Sequence, residues 1–301
     1  MKEKKNTKAK RGSGVKKWSI LTAVFAILTV VSIVGTNIAL SAGQAINIFL
    51  KTDTYKIVDK GNGKEDTTYF ESDFDSVEEL EENGKKVAEQ LHTEGSVLLK
   101  NNGVLPLKKD AKVSTLSHSS VDMVTCGTGA ADIDTSNAPT LKEALESRGV
   151  SVNSTLWDFY TKGAGKEYVR TPGKEANQEN QSGRAGWHIN EVPASAYTNE
   201  VKSSFAQYKD AAIVTISRIS GEGSDLAVDE FKDGKNVLSL TAEEQDMLKM
   251  AKSNFENVIV LINSTNALEC DFIDNEEYGI DAVLWIGYTG GWGLNGVADS
   301  W

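Results

Sequence analysis

Cysteine and histidine are scarce, since the 301 residues hold two cysteines and three histidines. No CxxC, HExxH or HxH spacing occurs, so the sequence predicts no metal site. Cys126 and Cys270 are too few for a disulfide framework, and they either pair in an exported protein or remain separate thiols. Gly127 and Gly129 begin a dinucleotide-binding pattern, but Asp132 stands where its third glycine belongs. We therefore expect no cofactor.

Net positive charge is confined to the N-terminus. Residues 1–17 hold eight Lys or Arg and one acidic residue, giving +7, whereas the whole chain is −11, so residues 18–301 carry −18. An acidic surface repels phosphate backbones, which argues against nucleic acid as a partner. It suits a neutral substrate, and it is also the ordinary solvated surface of a globular domain.

Charged residues are absent from residues 18–50. Within this stretch, residues 18–40 are long enough to cross the hydrocarbon core of a membrane, about 30 Å thick, as one helix. The basic tail at residues 1–17 then predicts a cytoplasmic N-terminus and an exported body. This interpretation gives a single-pass protein of the cell membrane, with its main domain outside.

A cleaved signal peptide is the alternative interpretation of the same stretch. Ala39, Ser41 and Ala42 are small residues of the kind found at cleavage sites. The apolar run, however, exceeds the usual signal-peptide core of about 7–15 residues, which favours an uncleaved anchor. The body is exported in either case.

We expect residues 41–75 to form a linker, polar from Lys51 onwards, and residues 76–301 to form the main domain. A helix is predicted from Ser76 to about residue 92, because Ser76 and Glu79 have capping-box spacing and the apolar residues that follow (Val77, Leu80, Val87 and Leu91) have helical spacing. A second helix with a capping box, formed by Thr241 and Glu244, is predicted after Thr241. Short apolar strands then alternate with helices, which predicts βαβ units and a mainly parallel sheet. The strands are predicted at residues 97–99 (buried), 113–117, 150–152, 211–217, 258–263 and 282–287.

A short polar loop follows the strand at residues 211–217. It places Glu222 between Gly221 and Gly223, where the backbone is free to adopt unusual dihedral angles. Ligands of parallel sheets gather at the carboxyl ends of the strands, so this carboxylate is a candidate functional group. A solvated glutamate in a surface turn is the simpler explanation of the same residues.

Five segments, in order, resemble the sandwich domain of glycoside hydrolase family 3. They read EGSVLLKNNGVLPL (94–107), SRISGEGSD (217–225), VDE followed by LSLTAEEQDMLK (within 228–249), VIVLINSTNALE (258–269) and IDAVLWIGYTGGWGLNGVAD (280–299). The resemblance implies a three-layer α/β sandwich with a mainly parallel sheet, preceded here by one N-terminal transmembrane helix. In the family this domain lies beside a (β/α)8 barrel, and the active site lies between the two.

The resemblance also implies site residues. Glu222 matches the general acid/base of retaining β-glucosidases, while Arg218 and Asp225 of the same segment are expected to contact the substrate. The implied ligand is a β-linked oligosaccharide or glycoside. The residue after Asp225 is Leu226, where many members have arginine, so we expect a sugar or structural contact to differ there.

The family's nucleophile is an aspartate of the barrel, and a barrel of about 250 residues does not fit beside the sandwich domain. Asp73, in Ser72-Asp73-Phe74, imitates the nucleophile motif, but no apolar strand precedes it, so we reject it. We expect the permuted arrangement, with the sandwich first and the barrel later, and a chain that is incomplete at its C-terminus. The chain alone is expected to be inactive. The alternative is a non-catalytic cell-surface module that binds carbohydrate or a partner.

Overall fold

The computed structural model describes residues 13–50, 72–172, 187–222, 226–227 and 234–301. It divides into two compact units, Met1–Ser72 and Asp73–Trp301.

The N-terminal unit contains two helices, α1 (Ser13–Ser41) and α2 (Gly43–Leu50). The 27 residues Val15–Ser41 are long and apolar enough to cross a membrane. A signal sequence near the N-terminus would have the same length and composition. The predicted span at residues 18–40 lies inside α1.

The larger unit is built on one six-stranded sheet. Its strands are β1 (Val97–Asn101), β2 (Lys112–Leu116), β3 (Ser151–Val152), β6 (Ala211–Ser217), β7 (Val258–Asn263) and β8 (Ala282–Trp285), and a separate ribbon pairs β4 (Thr171–Pro172) with β5 (Trp187–His188). The strand order is β1-β8-β7-β6-β2-β3, and all neighbours are parallel except β1 and β8. The predicted mainly parallel sheet is confirmed.

Helices cover both faces of this sheet. They are α3 (Val77–Gly95), α4 (Leu141–Ser147), α5 (Ser154–Thr161), α6 (Asn199–Ser204), α7 (Ala242–Asn254) and α8 (Gly293–Asp299). Side chains of α5, α6 and α7 pack with Val214 and Val260 on one face, whereas α4 and α8 pack with Ile213 and Ile259 on the other. Successive residues of a strand point to opposite faces, so the continuous apolar runs of β6 and β7 supply both cores. The predicted three-layer sandwich is confirmed.

Two of the expected helix starts depend on side-chain caps. Thr241 accepts a hydrogen bond from the Glu244 amide, and the Glu244 carboxylate accepts one from the Thr241 amide, which completes the predicted capping box of α7. Ser76 likewise caps α3, but the Glu79 carboxylate accepts from the Asp75 amide instead of closing the box on Ser76. The start of α3 therefore agrees with the sequence pattern, with a different reciprocal bond.

The prediction that residues 97–99 are buried was wrong. Val97, Leu98 and Leu99 are 52%, 54% and 45% exposed, because β1 is an edge strand that pairs only with β8. The apolar residues of α3 are exposed as well. That helix turns polar positions towards α8, where Gly293 lies against the ring of His92 and Gly296 against the backbone of Glu89.

The exposure of the α3 residues predicts that they add little to folding. Leu91 is 65% exposed, so Leu91→Gln should change the free energy of unfolding by less than about 0.5 kcal/mol. Leu248 of α7 is 0% exposed, and Leu248→Ala should cost about 2–5 kcal/mol. Denaturant unfolding of the full chain in micelles compares the free energies of unfolding of the two variants. A cost for Leu91→Gln near that for Leu248→Ala would show that α3 is covered in solution.

Candidate functional site

The sheet has a topological switch point between β2 and β6. The chain passes from β2 to β3 on one side, and β6 then lies on the other side of β2. Connections that leave in opposite directions open a crevice at the carboxyl ends of the two strands, which is where parallel sheets bind ligands. The loops that follow β2 and β6 meet at this edge.

Glu222 lies on the loop after β6 and contacts the loop after β2. Its carboxylate oxygen Oε2 accepts a hydrogen bond of 2.9 Å from the Ala130 amide. Its backbone carbonyl accepts one of 3.1 Å from the Thr128 hydroxyl. The residue is exposed. Glu222 thus stands at the sheet edge expected for it, held at two points by a loop that is distant in sequence.

Glycines allow these two loops to approach so closely. A Cβ added to Gly221 would overlap the backbone nitrogen of Thr128. Gly129 has φ +71°, a conformation that other residues rarely adopt, and an added Cβ would lie 2.8 Å from the Glu222 carbonyl oxygen. The small residues after β2 are therefore required by the contact with Glu222.

Polar groups from the loops after β7 and β8 fix the middle of the Glu222 loop. The Ser220 amide donates to the Tyr288 hydroxyl at 2.9 Å, and the Ser220 hydroxyl donates to Asn266 at 2.6 Å. Asn263, at the end of β7, donates to the Val124 carbonyl and accepts from the Val124 amide. The loops of four neighbouring strands are thus joined into one hydrogen-bonded edge.

Arg218 opens the same loop, but its guanidinium group points into the protein and is 2% exposed. It forms a bidentate ion pair with Glu244, at 2.8 and 2.9 Å. Its remaining N–H groups donate to the carbonyls of Ser217, Val237 and Ser239. All five N–H donors are used, so this arrangement leaves none for a sugar. The structure thus gives Arg218 a structural role, and its expected contact with a substrate stays a prediction.

The sequence analysis also singled out Asp73, Asp225, Cys126 and Cys270. Asp225 lies outside the described residues. Asp73 is exposed and lies just before α3. Cys126 and Cys270 are both free thiols. Among the described residues, no group of three or more His, Cys, Asp or Glu side chains could hold a metal ion.

Glu191 is a buried carboxylate that the sequence analysis missed. Its two oxygens accept from the His118 amide at 3.1 and 3.2 Å, and one also accepts from the Val192 amide at 2.7 Å. Burial raises the pKa of Glu191 to about 7, against the lowering effect of its hydrogen bonds from Ser117, Val192 and His118. The negative charge of Glu244 raises the pKa further. No sequence pattern marks Glu191, because it lies in a polar loop segment without periodicity.

Residues 96–300 match the model of the glycosyl hydrolase family 3 C-terminal domain. An α/β sandwich with a glutamate at its switch point is thus recognised as the C-terminal domain of a known glycosidase family. The chain belongs to glycoside hydrolase family 3.

Two curated relatives are each 30% identical to this chain and align with 68% of it. They are a beta-glucosidase of Ruminococcus albus, of which the alignment covers 20%, and beta-glucosidase A of Butyrivibrio fibrisolvens, of which it covers 26%. The chain thus spans about a fifth to a quarter of the length of these relatives.

A solved structure shows the same fold. Beta-glucosidase 3B from Thermotoga neapolitana, in complex with glucose, is 26% identical, with a TM-score of 0.56 over 73% of this chain and 29% of that one. A beta-glucosidase from Paenibacillus barengoltzii, 24% identical, has a TM-score of 0.58 over 72% of this chain. The second likeness supports the fold alone.

Proposed function

We propose that this chain is the sandwich-domain part of a membrane-anchored, exported, retaining β-glucosidase, and that Glu222 is its general acid/base. The observation that carries the proposal is the exposed Glu222 carboxylate at the carboxyl edge of the sheet, beside the β2–β6 switch point. Family membership and relatives named as beta-glucosidases support the reaction class.

Retaining hydrolysis needs two carboxyl groups about 5–5.5 Å apart. One protonates the glycosidic oxygen and later activates water, while the other attacks the anomeric carbon. Glu222 suits the first role because its loop projects from the sheet edge, where a second domain can meet it. The nucleophile is assigned to a barrel domain outside this chain.

The N-terminal helix supports the proposed location. Val15–Ser41 is long and apolar enough for a span, and eight basic residues lie within the first 17 residues. The positive-inside rule then places the tail in the cytoplasm and the sandwich domain outside. The basic tail, the anchor, the linker (residues 41–75) and the domain (76–301) are thus proposed as the functional divisions of the chain.

The role of Glu222 can be tested in a chimera in which residues 76–301 replace the matching domain of the Butyrivibrio fibrisolvens enzyme. Glu222→Gln should lower hydrolysis of a phenyl β-glucoside about 10²–10⁴-fold, because its leaving group needs a proton. A dinitrophenyl β-glucoside has a good leaving group, so its cleavage to the glycosyl-enzyme should be affected far less, and azide should restore turnover.

The matched control is Glu200→Gln, which removes one exposed glutamate on α6. Glu200→Gln should leave the hydrolysis of both substrates unchanged. Equal losses in the rate of glycosyl-enzyme formation from the two aryl glucosides after Glu222→Gln would contradict the acid/base role. The non-catalytic alternative predicts instead that the full chain alone binds gluco-oligosaccharides in titration calorimetry.

A further inference from the structure

We propose that residues 127–131, the loop after β2, are the positioning loop of Glu222, with Thr128 and Ala130 as positioning residues. This inference rests on the proposed function and deepens it. The orientation of the acid/base carboxylate is assigned to residues about 90 positions earlier in the chain. Thr128 and Ala130 act through Glu222 and are not themselves catalytic.

Two hydrogen bonds join the loop after β2 to Glu222. The Thr128 hydroxyl holds the Glu222 backbone, and the Ala130 amide holds the end of its side chain. A glutamate side chain has three rotatable torsions and loses much of its freedom when both ends are fixed. Two anchors therefore give an exposed carboxylate a defined direction, which proton transfer to a bound glycoside requires.

The loop after β2 and the Glu222 loop also pack closely against each other. An added Cβ at Gly129 would lie 2.9 Å from the Cβ of Glu222, and one at Gly127 would lie 3.4 Å from the Ser220 carbonyl oxygen. Backbones in direct contact cannot shift independently. The position of Glu222 is thus determined by the loop after β2 as well as by its own strand.

The Ala130 amide reports directly on the protonation of the Glu222 carboxylate. An amide proton that donates to a carboxyl oxygen changes its chemical shift when that group gains or loses a proton. Among the described residues, this amide donates to no acidic side chain other than Glu222. The contact is therefore observable without any measurement of enzyme activity.

The experiment is a pH titration of the full chain, labelled with ¹⁵N-alanine and held in detergent micelles. The Ala130 amide, assigned through Ala130→Ser, should move in one titration step that Glu222→Gln abolishes. A shift that follows pH equally in wild type and Glu222→Gln would overturn the proposal.

Two matched glycine variants test whether the close packing of the loop after β2 against Glu222 holds the Ala130 contact in place. Gly129→Ala should abolish the titration of the Ala130 amide. Gly103→Ala carries similar backbone strain, at φ +93°, but its Cβ meets nothing within 4 Å, so the titration should persist. Where Gly129→Ala fails to fold, Thr128→Val removes the hydroxyl at nearly constant shape, and Thr128→Ser restores it. Persistence of the titration in Gly129→Ala, or in Thr128→Val where Gly129→Ala does not fold, would overturn the proposal.

The chimera separates this proposal from the proposed function. If the Ala130 amide follows Glu222 but Glu222→Gln leaves hydrolysis unchanged, the contact stands and the acid/base role fails. If hydrolysis depends on Glu222 but the amide does not follow it, the positioning role fails and the acid/base role stands. When the positioning role and the acid/base role both hold, Thr128→Val should slow hydrolysis of the phenyl glucoside more than that of the dinitrophenyl glucoside. A general loss of folding would slow both equally.

Discussion

Glu244→Gln is expected to lower the free energy of unfolding by about 3–5 kcal/mol, because it leaves the Arg218 charge buried without a counter-ion. The two side chains are 2% and 3% exposed and only 2.8 Å apart. The same carboxylate closes the cap of α7 through the Thr241 amide, so the substitution weakens the start of that helix too. Denaturant unfolding of the full chain in micelles, followed by circular dichroism, measures the loss.

An exposed ion pair of similar length provides the control. Lys209 and Glu256 are 2.7 Å apart, and each side chain is 55% exposed. Glu256→Gln should cost no more than about 1 kcal/mol, since water and salt screen this pair. Equal costs for Glu244→Gln and Glu256→Gln would show that burial does not strengthen the dependence of Arg218 on its partner.

The position of Arg218 gives this pair a consequence for the site. Arg218 is the first residue after β6, and Glu222 lies four positions further on. Its guanidinium group also donates to the carbonyls of Val237 and Ser239, so it fixes the start of the loop to the chain that returns into α7. We therefore expect the contact between Glu222 and the Ala130 amide to loosen in Glu244→Gln.

The layers of the fold could be predicted from the sequence because they follow local patterns. The apolar runs at residues 211–217 and 258–263 lie on strands covered on both faces, and such runs are typical of parallel sheets. The start of α7 follows from Thr241 and Glu244 alone. Each of these signals lies within a few residues of the element it defines.

The errors concern which surface each element meets. The helical spacing of Val77 and Leu91 correctly indicates a helix, but spacing does not say whether the apolar side is covered, and both are 65% exposed. Arg218 was predicted to contact the substrate because its segment resembles the family, and that pattern does not show that its guanidinium group is buried. The burial of its guanidinium group depends on Glu244, 26 residues away.

The candidate site was predictable only in part for the same reason. Glu222 could be located from its glycine-flanked position after a strand. Its neighbours Thr128 and Ala130 could not, because loop-to-loop contacts across a switch point leave no periodic pattern in either segment. Glycines with positive φ, such as Gly129, are the one local signal that a close approach occurs there.

Glu191 is expected to make the protein less stable as the pH rises from about 4.5 to about 7. Below this window the carboxyl group is protonated in both the folded and the unfolded chain. Above it the folded chain must carry a buried carboxylate, since burial raises the pKa from 4.5 to about 7. At about 1.36 kcal/mol per pH unit, the full cost is about 3 kcal/mol. Thermal unfolding of the full chain at a series of pH values measures the decline.

Glu191→Gln isolates this effect, because the amide cannot ionise but can still accept from the His118 and Val192 amides. The variant and wild type should have similar stability near the lower limit of the window, and the variant should be more stable above its upper limit. Burial lowers the pKa of His118, which reduces stability as the pH falls, so the wild-type curve alone combines two opposite trends. The difference between the two curves removes the His118 contribution and leaves that of Glu191. A difference that is constant across the window would mean that Glu191 does not gain a proton in the folded protein.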